Sequence, residues 1–326
     1  MSIPSWDWEK AFSEGRMPRG LFSRYEKSPI LTAAQWPYPA NAVFNPGAAQ
    51  VDGKTLLLIR VEDMRGFSHL SAARSTDGKT DWQIDPHPTL LPDCEYREER
   101  WALEDPRIVW LEEEEQYAVT YVSFSEGGPL VSLATTKDFH EFTRYGAMVP
   151  PEDKDACLLP RRFGGRYALI HRPMIRGEAH IWMSFSPDLK HWGDHRVLLH
   201  TRPGWWDSRR VGLGAQPIET AEGWLILYHG VRSTAAGAIY RVGLALLDLE
   251  QPWKVIRRSD EWVLGPKEFY ERLGDVPDVV FPTGAILDRE ADEFRLYYGA
   301  ADSSVGLALA NPEELIEYVK SCPAVG

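Results

Sequence analysis

Five short stretches place acids, cations and a histidine beside turn residues at the ends of apolar runs. The first is Glu104-Asp105-Pro106-Arg107, which leads into the apolar run 108–111. A carboxyl group held against an apolar strand end resists ionisation, so Asp105 suits a general acid. The same residues also read as an Asp-Pro turn closed by an arginine ion pair. The second stretch, Arg60-Val61-Glu62-Asp63-Met64-Arg65-Gly66, offers guanidinium forks for a sugar or a phosphate, or else a charged surface turn. The third joins Lys154-Asp155 to His171-Arg172-Pro173: either a local anion site or ordinary ion pairing. The fourth joins Tyr228-His229-Gly230 to Tyr240-Arg241, where His229 contacts an anion, moves a proton or is simply hydrogen-bonded. The fifth runs from Asp278 to Gly284 and from Tyr297 to Asp302. Its carboxylates can hold sugar hydroxyls or cap turns.

These stretches need a scaffold that brings them together. Runs such as Thr55–Arg60, Gln116–Val122, Arg166–His171, Gly223–Tyr228 and Glu293–Tyr298 alternate apolar and polar residues and are rich in β-branched and aromatic side chains. That period is a half-buried strand. Helical periodicity is confined to Trp6–Phe12 and Pro312–Ser321, the latter with Pro312 and two glutamates in its first turn.

A longer repeat organises the strands. Leu70–Trp82, Val131–Phe142, Ile181–Trp192, Val242–Trp253 and Val305–Leu315 each carry a small-residue strand into a polar turn. The turns centre on Asp77, Asp138, Asp188, Leu249 and Asn311, spaced 61, 50, 61 and 62 residues apart. About sixty residues hold four short strands with their turns, the content of one propeller blade. The expectation is an all-β, five-bladed β-propeller over residues 28–320, with an N-terminal extension at 1–27 and a tail at 321–326. A propeller collects ligand-binding residues from every blade on its axis, which would unite the five polar stretches.

Composition narrows the partners. With 36 Lys and Arg against 48 Asp and Glu, the net charge is −12, unlike the basic face that a nucleic acid needs. No apolar run approaches the ~20 residues of a membrane span. Cys94, Cys157 and Cys322 lie far apart and show no zinc spacing, so they read as reduced thiols. The first residues lack the pattern of a secretory signal, and a cytoplasmic location is expected.

The motifs Asn45-Pro46-Gly47-Ala48, Arg60-Val61-Glu62-Asp63, Glu104-Asp105-Pro106-Arg107, Lys154-Asp155, His171-Arg172-Pro173, Tyr228-His229-Gly230, Phe281-Pro282-Thr283-Gly284 and Tyr297-Tyr298-Gly299-Ala300-Ala301-Asp302 resemble glycoside hydrolase family 130, the β-mannoside phosphorylases. The resemblance runs from about residue 28 to 315. It implies a five-bladed propeller and Asp105 as the general acid. It implies a phosphate site of Lys154, Arg172, His229 and Tyr240, with Lys154 a point charge where some relatives carry arginine. It also implies that Asn45, Arg60, Asp63, Arg65 and Asp302 hold the mannosyl unit, and Asp278 joins them as a substrate-binding candidate. The implied reaction is inverting phosphorolysis of a β-mannoside to α-mannose 1-phosphate. Inorganic phosphate is then a co-substrate, with no cofactor and no metal, and a homo-oligomer is possible. A hydrolase on the same fold, with Glu219 or Asp207 as base, and a non-catalytic sugar-binding propeller are the competing readings. Trp36, Trp101, Trp205 and Trp206 are candidates for the pocket rim or for the core.

Overall fold

The computed structural model describes residues 20–175, 177–235 and 237–325. It is nearly all β. Two α-helices accompany the strands among these residues: α1 (Phe269–Arg272) and α2 (Pro312–Ser321). The predicted helix at Trp6–Phe12 lies outside the described residues. In α2 the Asn311 side chain accepts the Glu314 N–H at 3.0 Å, and Leu315 and Val319, one turn apart, are buried. No helix among the described residues is long and apolar enough to cross a membrane.

The strands fall into five antiparallel units. The first contains β3 (Ala42–Val51), β4 (Lys54–Glu62), β5 (Ser68–Ser75) and β6 (Gln83–Ile84). The second contains β7 (Ala102–Leu111), β8 (Gln116–Ser125), β9 (Gly128–Thr136) and β10 (Thr143–Ala147). The third contains β11 (Asp153–Leu158), β12 (Tyr167–Ile175), β14 (Ile181–Ser186) and β15 (Gly193–Leu199), with the two-residue β13 (Glu178–Ala179) beside β12. The fourth contains β16 (Arg210–Leu213), β17 (Ile218–Thr220), β18 (Gly223–Thr234), β19 (Gly237–Leu247) and β20 (Val255–Arg258). The fifth contains β21 (Val280–Asp288), β22 (Glu293–Ala300) and β23 (Ser304–Ala310). Its outer side is supplied from the start of the described chain. There β1 (Ser23–Arg24) pairs Ser23 with Leu309, and β2 (Leu31–Thr32) pairs Leu31 with Val305. Ordered pairing therefore begins at Ser23, inside the segment 1–27 read as an extension.

The sixty-residue echo is the third strand of each unit and the turn after it. Asp77 Oδ1 accepts the N–H groups of Lys79 and Thr80, both at 2.8 Å. Asp138 does the same for His140 and Glu141, and Asp188 for Lys190 and His191. In the fourth unit the residue is Asp248, which accepts from Glu250 and Gln251, and not the adjacent Leu249. The repeated acids are turn caps, chosen because a short carboxylate reaches the backbone two and three residues ahead.

A second echo lies in the first strands and was not seen in the sequence. The ladder of β3 slips between Phe44 and Gly47, that of β7 between Glu104 and Arg107, and that of β11 between Lys154 and Cys157. Each bulge holds one Asn or Asp in the left-handed region: Asn45 at φ 47°, Asp105 at φ 50° and Asp155 at φ 52°. Asn and Asp tolerate that conformation better than other residues with a side chain. A bulge re-aims its side chain, and here it gathers three polar groups from three units.

The first strands also touch one another. Arg107, 1% exposed, donates to the carbonyls of Gly214 at 2.9 Å and Leu213 at 3.0 Å. Gln216 Nε2 donates to the carbonyls of Ala285 at 2.6 Å and Ala48 at 3.3 Å. Thr120 Oγ1 donates to the Ala156 carbonyl at 2.6 Å. These bonds tie all five units at one centre.

Candidate active site

Where the bulges converge, a cavity of about 360 Å³ opens. Its lining includes Asn45, Arg60, Asp105, Lys154, Asp155, Arg172, Arg210, His229, Tyr240, Phe281 and Asp302. Eight of the eleven predicted site residues line it. Asp63, Arg65 and Asp278 do not. Asp63 and Arg65 form an ion pair at 2.7 Å on the turn after β4, at the end of the unit that also carries Asn45. Asp278 lines a neighbouring cavity of about 680 Å³ with Arg241 and Trp262, and its backbone carbonyl accepts the Tyr240 N–H at 3.2 Å. Trp36 and Trp206 are buried core residues, Trp206 stacked on Tyr228, while Trp101 and Trp205 are half-buried.

One half of the cavity is built around Asp105. Its Oδ1 accepts from Asn45 Nδ2 at 2.8 Å and from Arg60 Nη1 at 3.3 Å. Arg60 also reaches Glu104 Oε1 at 3.0 Å and lies 4.6 Å over the Phe44 ring. Arg107 donates to the Asp105 carbonyl at 2.8 Å, so backbone and carboxylate are both fixed. Asp302, at φ 51°, faces the same space. Burial, and then the charges of Asp105 and Glu104, push its carboxyl up to about 7 against the pull of Arg60. Between pH 4 and 7 the folded chain therefore keeps a proton that the unfolded chain releases, and stability falls as pH rises through that window. Asp302→Asn should flatten this slope, worth on the order of 3 kcal/mol. The check is Tm at pH 4.5 and 8 for both proteins: the variant should gain on the wild type at pH 8. An unchanged pH dependence would refute the assignment.

The other half is built around Asp155, which is 1% exposed. Arg172 Nε donates to its Oδ2 at 2.5 Å, His229 Nε2 lies 3.5 Å from the same oxygen, and Arg107 Nη2 lies 3.5 Å from Oδ1. Burial alone would raise this carboxyl, but Arg172 and Arg107 hold it well below the usual carboxylate range. Burial pushes His229 down to about 4, with Arg172 and Arg107 adding to the effect. At neutral pH His229 is thus an uncharged hydrogen-bonding group, and the cationic character expected of it passes to Lys154, Arg172 and Arg210. A Cβ at position 212 would overlap Asp155 Oδ2 and the His229 ring, so only glycine lets these groups meet. Lys154 Nζ lies 3.4 Å from Glu104 Oε2, between the two halves.

Arg210 is the cation that sequence reasoning missed. It opens β16, a four-residue strand too short to stand out, and its buried Nε has no hydrogen-bond partner. Arg107 was singled out only as a turn ion pair and proves to be the central tie. The two carboxylates considered as hydrolytic bases lie elsewhere. Asp207 is locked between Arg202 and Arg258 at 2.7 and 2.8 Å, and Glu219 pairs with Arg161 beside a different cavity.

Residues 22–321 match the family model described as β-1,4-mannooligosaccharide phosphorylase, Glyco_hydro_130. The chain belongs to glycoside hydrolase family 130. It is 32% identical to a β-1,4-mannooligosaccharide phosphorylase of Ruminococcus albus, across 100% of this chain and 98% of that protein. It is 36% identical to a β-1,2-mannobiose phosphorylase of Listeria innocua, across 86% and 94%. The solved structure of a β-1,2-mannobiose phosphorylase from Listeria innocua in complex with β-1,2-mannobiose superposes with a TM-score of 0.83 at 33% identity, across 92% of this chain and 99% of that one. The family 130 motifs quoted above thus sit on one cavity, at the same phase of successive strand units.

Proposed function

We propose that this family 130 chain catalyses inverting phosphorolysis of a β-mannoside at this cavity, within five strand units closed into a β-propeller over residues 28–320. The closure rests on the ties among the first strands and on the pairing of β1 and β2 with β23. A phosphate oxygen attacks the anomeric carbon on the face opposite the leaving group. The C–O bond to the acceptor breaks, and Asp105 gives its proton to the departing oxygen, directly or through a mannose hydroxyl. The products are α-mannose 1-phosphate and the shortened acceptor.

The division of the cavity carries this reading: Asp105 with its fixed donors on one side, and Lys154, Arg172 and Arg210 on the other. An inverting hydrolase needs a second carboxylate to activate water. Phosphate is already an anion and needs cations to neutralise and orient it. Asn45, Arg60 and Asp302 hold the mannosyl unit in this arrangement, and His229 and Tyr240 complete the phosphate half.

The deciding experiment supplies β-1,4- and β-1,2-mannobiose with and without phosphate and follows the products by NMR. α-Mannose 1-phosphate should form only with phosphate. Release of free mannose at the same rate without phosphate would refute the reading. Glu219→Gln should leave turnover within twofold, because Glu219 stands beside another cavity, whereas a loss of activity would revive hydrolysis.

A further inference from the structure

The principal strands of the third unit each contribute one polar side chain to a single hydrogen-bonded line. Asp153 comes from β11, His171 from β12, Ser184 from β14 and His195 from β15. Asp153 Oδ2 lies 2.6 Å from His171 Nδ1, His171 Nε2 lies 2.7 Å from Ser184 Oγ, and Ser184 Oγ lies 2.7 Å from His195 Nδ1. The carboxylate can only accept, so His171 donates through Nδ1–H. In the neutral ring Nε2 then accepts the Ser184 O–H. Asp153, His171 and Ser184 are buried at 1%, 4% and 0% exposure. Three buried polar side chains are costly unless each is bonded, and apolar residues would fill the same space at less cost.

The line ends at the phosphate half of the cavity. The second oxygen of Asp153, Oδ1, accepts the backbone N–H of Arg172 at 3.0 Å. Pro173 stands opposite Asp153 in the ladder and has no N–H to give, and the register slips just beyond, between Lys154 and Cys157. Ladder bonds alone therefore hold this end of β12 poorly. Asp153 restrains the Arg172 backbone, and Asp155 restrains its guanidinium through Nε. Lys154, paired with Arg172 in the same ladder, is carried along.

We propose that Asp153 and His171 are positioning residues for phosphate: they fix Arg172 and Lys154 so that both cations face the anion. The inference rests on the assignment of Arg172 to the phosphate half.

The test compares two amides at position 171. In His171→Asn the amide nitrogen occupies the place of Nδ1 and still donates to Asp153. In His171→Gln the amide reaches the place of Nε2, keeps Ser184 and withdraws the donor from Asp153. Both lose ring packing, so Tm falls in both. The phosphate KM should rise about tenfold in His171→Gln and stay within twofold in His171→Asn, with the mannoside KM unchanged in each. Equal phosphate KM values in the two variants, or values that follow Tm, overturn the proposal. Should His171→Gln fail to fold, Asp153→Asn, whose carbonyl still accepts the Arg172 N–H, and Asp153→Ala, which offers no acceptor, give the same comparison. Arg172→Ala separates the two levels. An unchanged phosphate KM there overturns the phosphate assignment and the positioning role with it. A raised value there with none in His171→Gln overturns the positioning role alone.

Discussion

Asp105→Asn should lower kcat by roughly 10²–10⁴, the usual contribution of a positioned general acid. Asparagine is the informative replacement because it tolerates the left-handed backbone at φ 50°; Asn45 occupies the corresponding bulge at φ 47°. Its carbonyl can still accept from Asn45 and Arg60, so the pocket keeps its shape and only the acid is lost. The phosphate KM should change little, since the cation cluster is untouched. A dinitrophenyl β-mannoside, whose leaving group needs no proton, should recover most of the rate. Turnover within tenfold of the wild type on a mannobiose would remove Asp105 from the acid role.

Arg172→Ala should act on the opposite half. Hydrogen bonds to a charged group are worth about 1.5–3 kcal/mol each, so the phosphate KM should rise roughly 10–100-fold while the mannoside KM holds. Stability should fall as well. Asp155 is fully buried, and without Arg172 it keeps only the more distant Arg107 and a neutral His229. Removing one partner of a buried ion pair leaves an uncompensated charge. Arg172→Lys should restore part of the stability and less of the phosphate affinity, because an ammonium supplies the charge without the fork. Steady-state kinetics with varied phosphate, together with Tm, separate these effects. Equal losses in both KM values would place Arg172 outside the phosphate half.

Much of the scaffold is legible in the chain. Period-2 alternation marks most of the strands, and the sixty-residue echo marks the third strand of every unit, because its turn needs a short acid to cap the backbone. The family motifs name Asp105, Asn45, Arg60, Lys154 and Arg172, and all of them meet on one cavity. The turn residues Asp63 and Arg65 look the same in sequence as the site arginines. Nothing local distinguishes a charged loop that pairs with itself from one that faces a ligand.

By itself the sequence determined the strand periodicity, the number of repeats and the residue types of the motifs, since these follow from side-chain alternation and turn chemistry within a few residues. Tertiary structure alone decided the charges and the neighbours. His229 is neutral because four units bury it beside two guanidiniums. Asp302 keeps its proton because it is buried beside Asp105 and Glu104 from another strand unit. Arg210 joins the cations because β16 ends at the centre. Each of these depends on desolvation and on charges brought together from strands fifty or more residues apart, which no local pattern records.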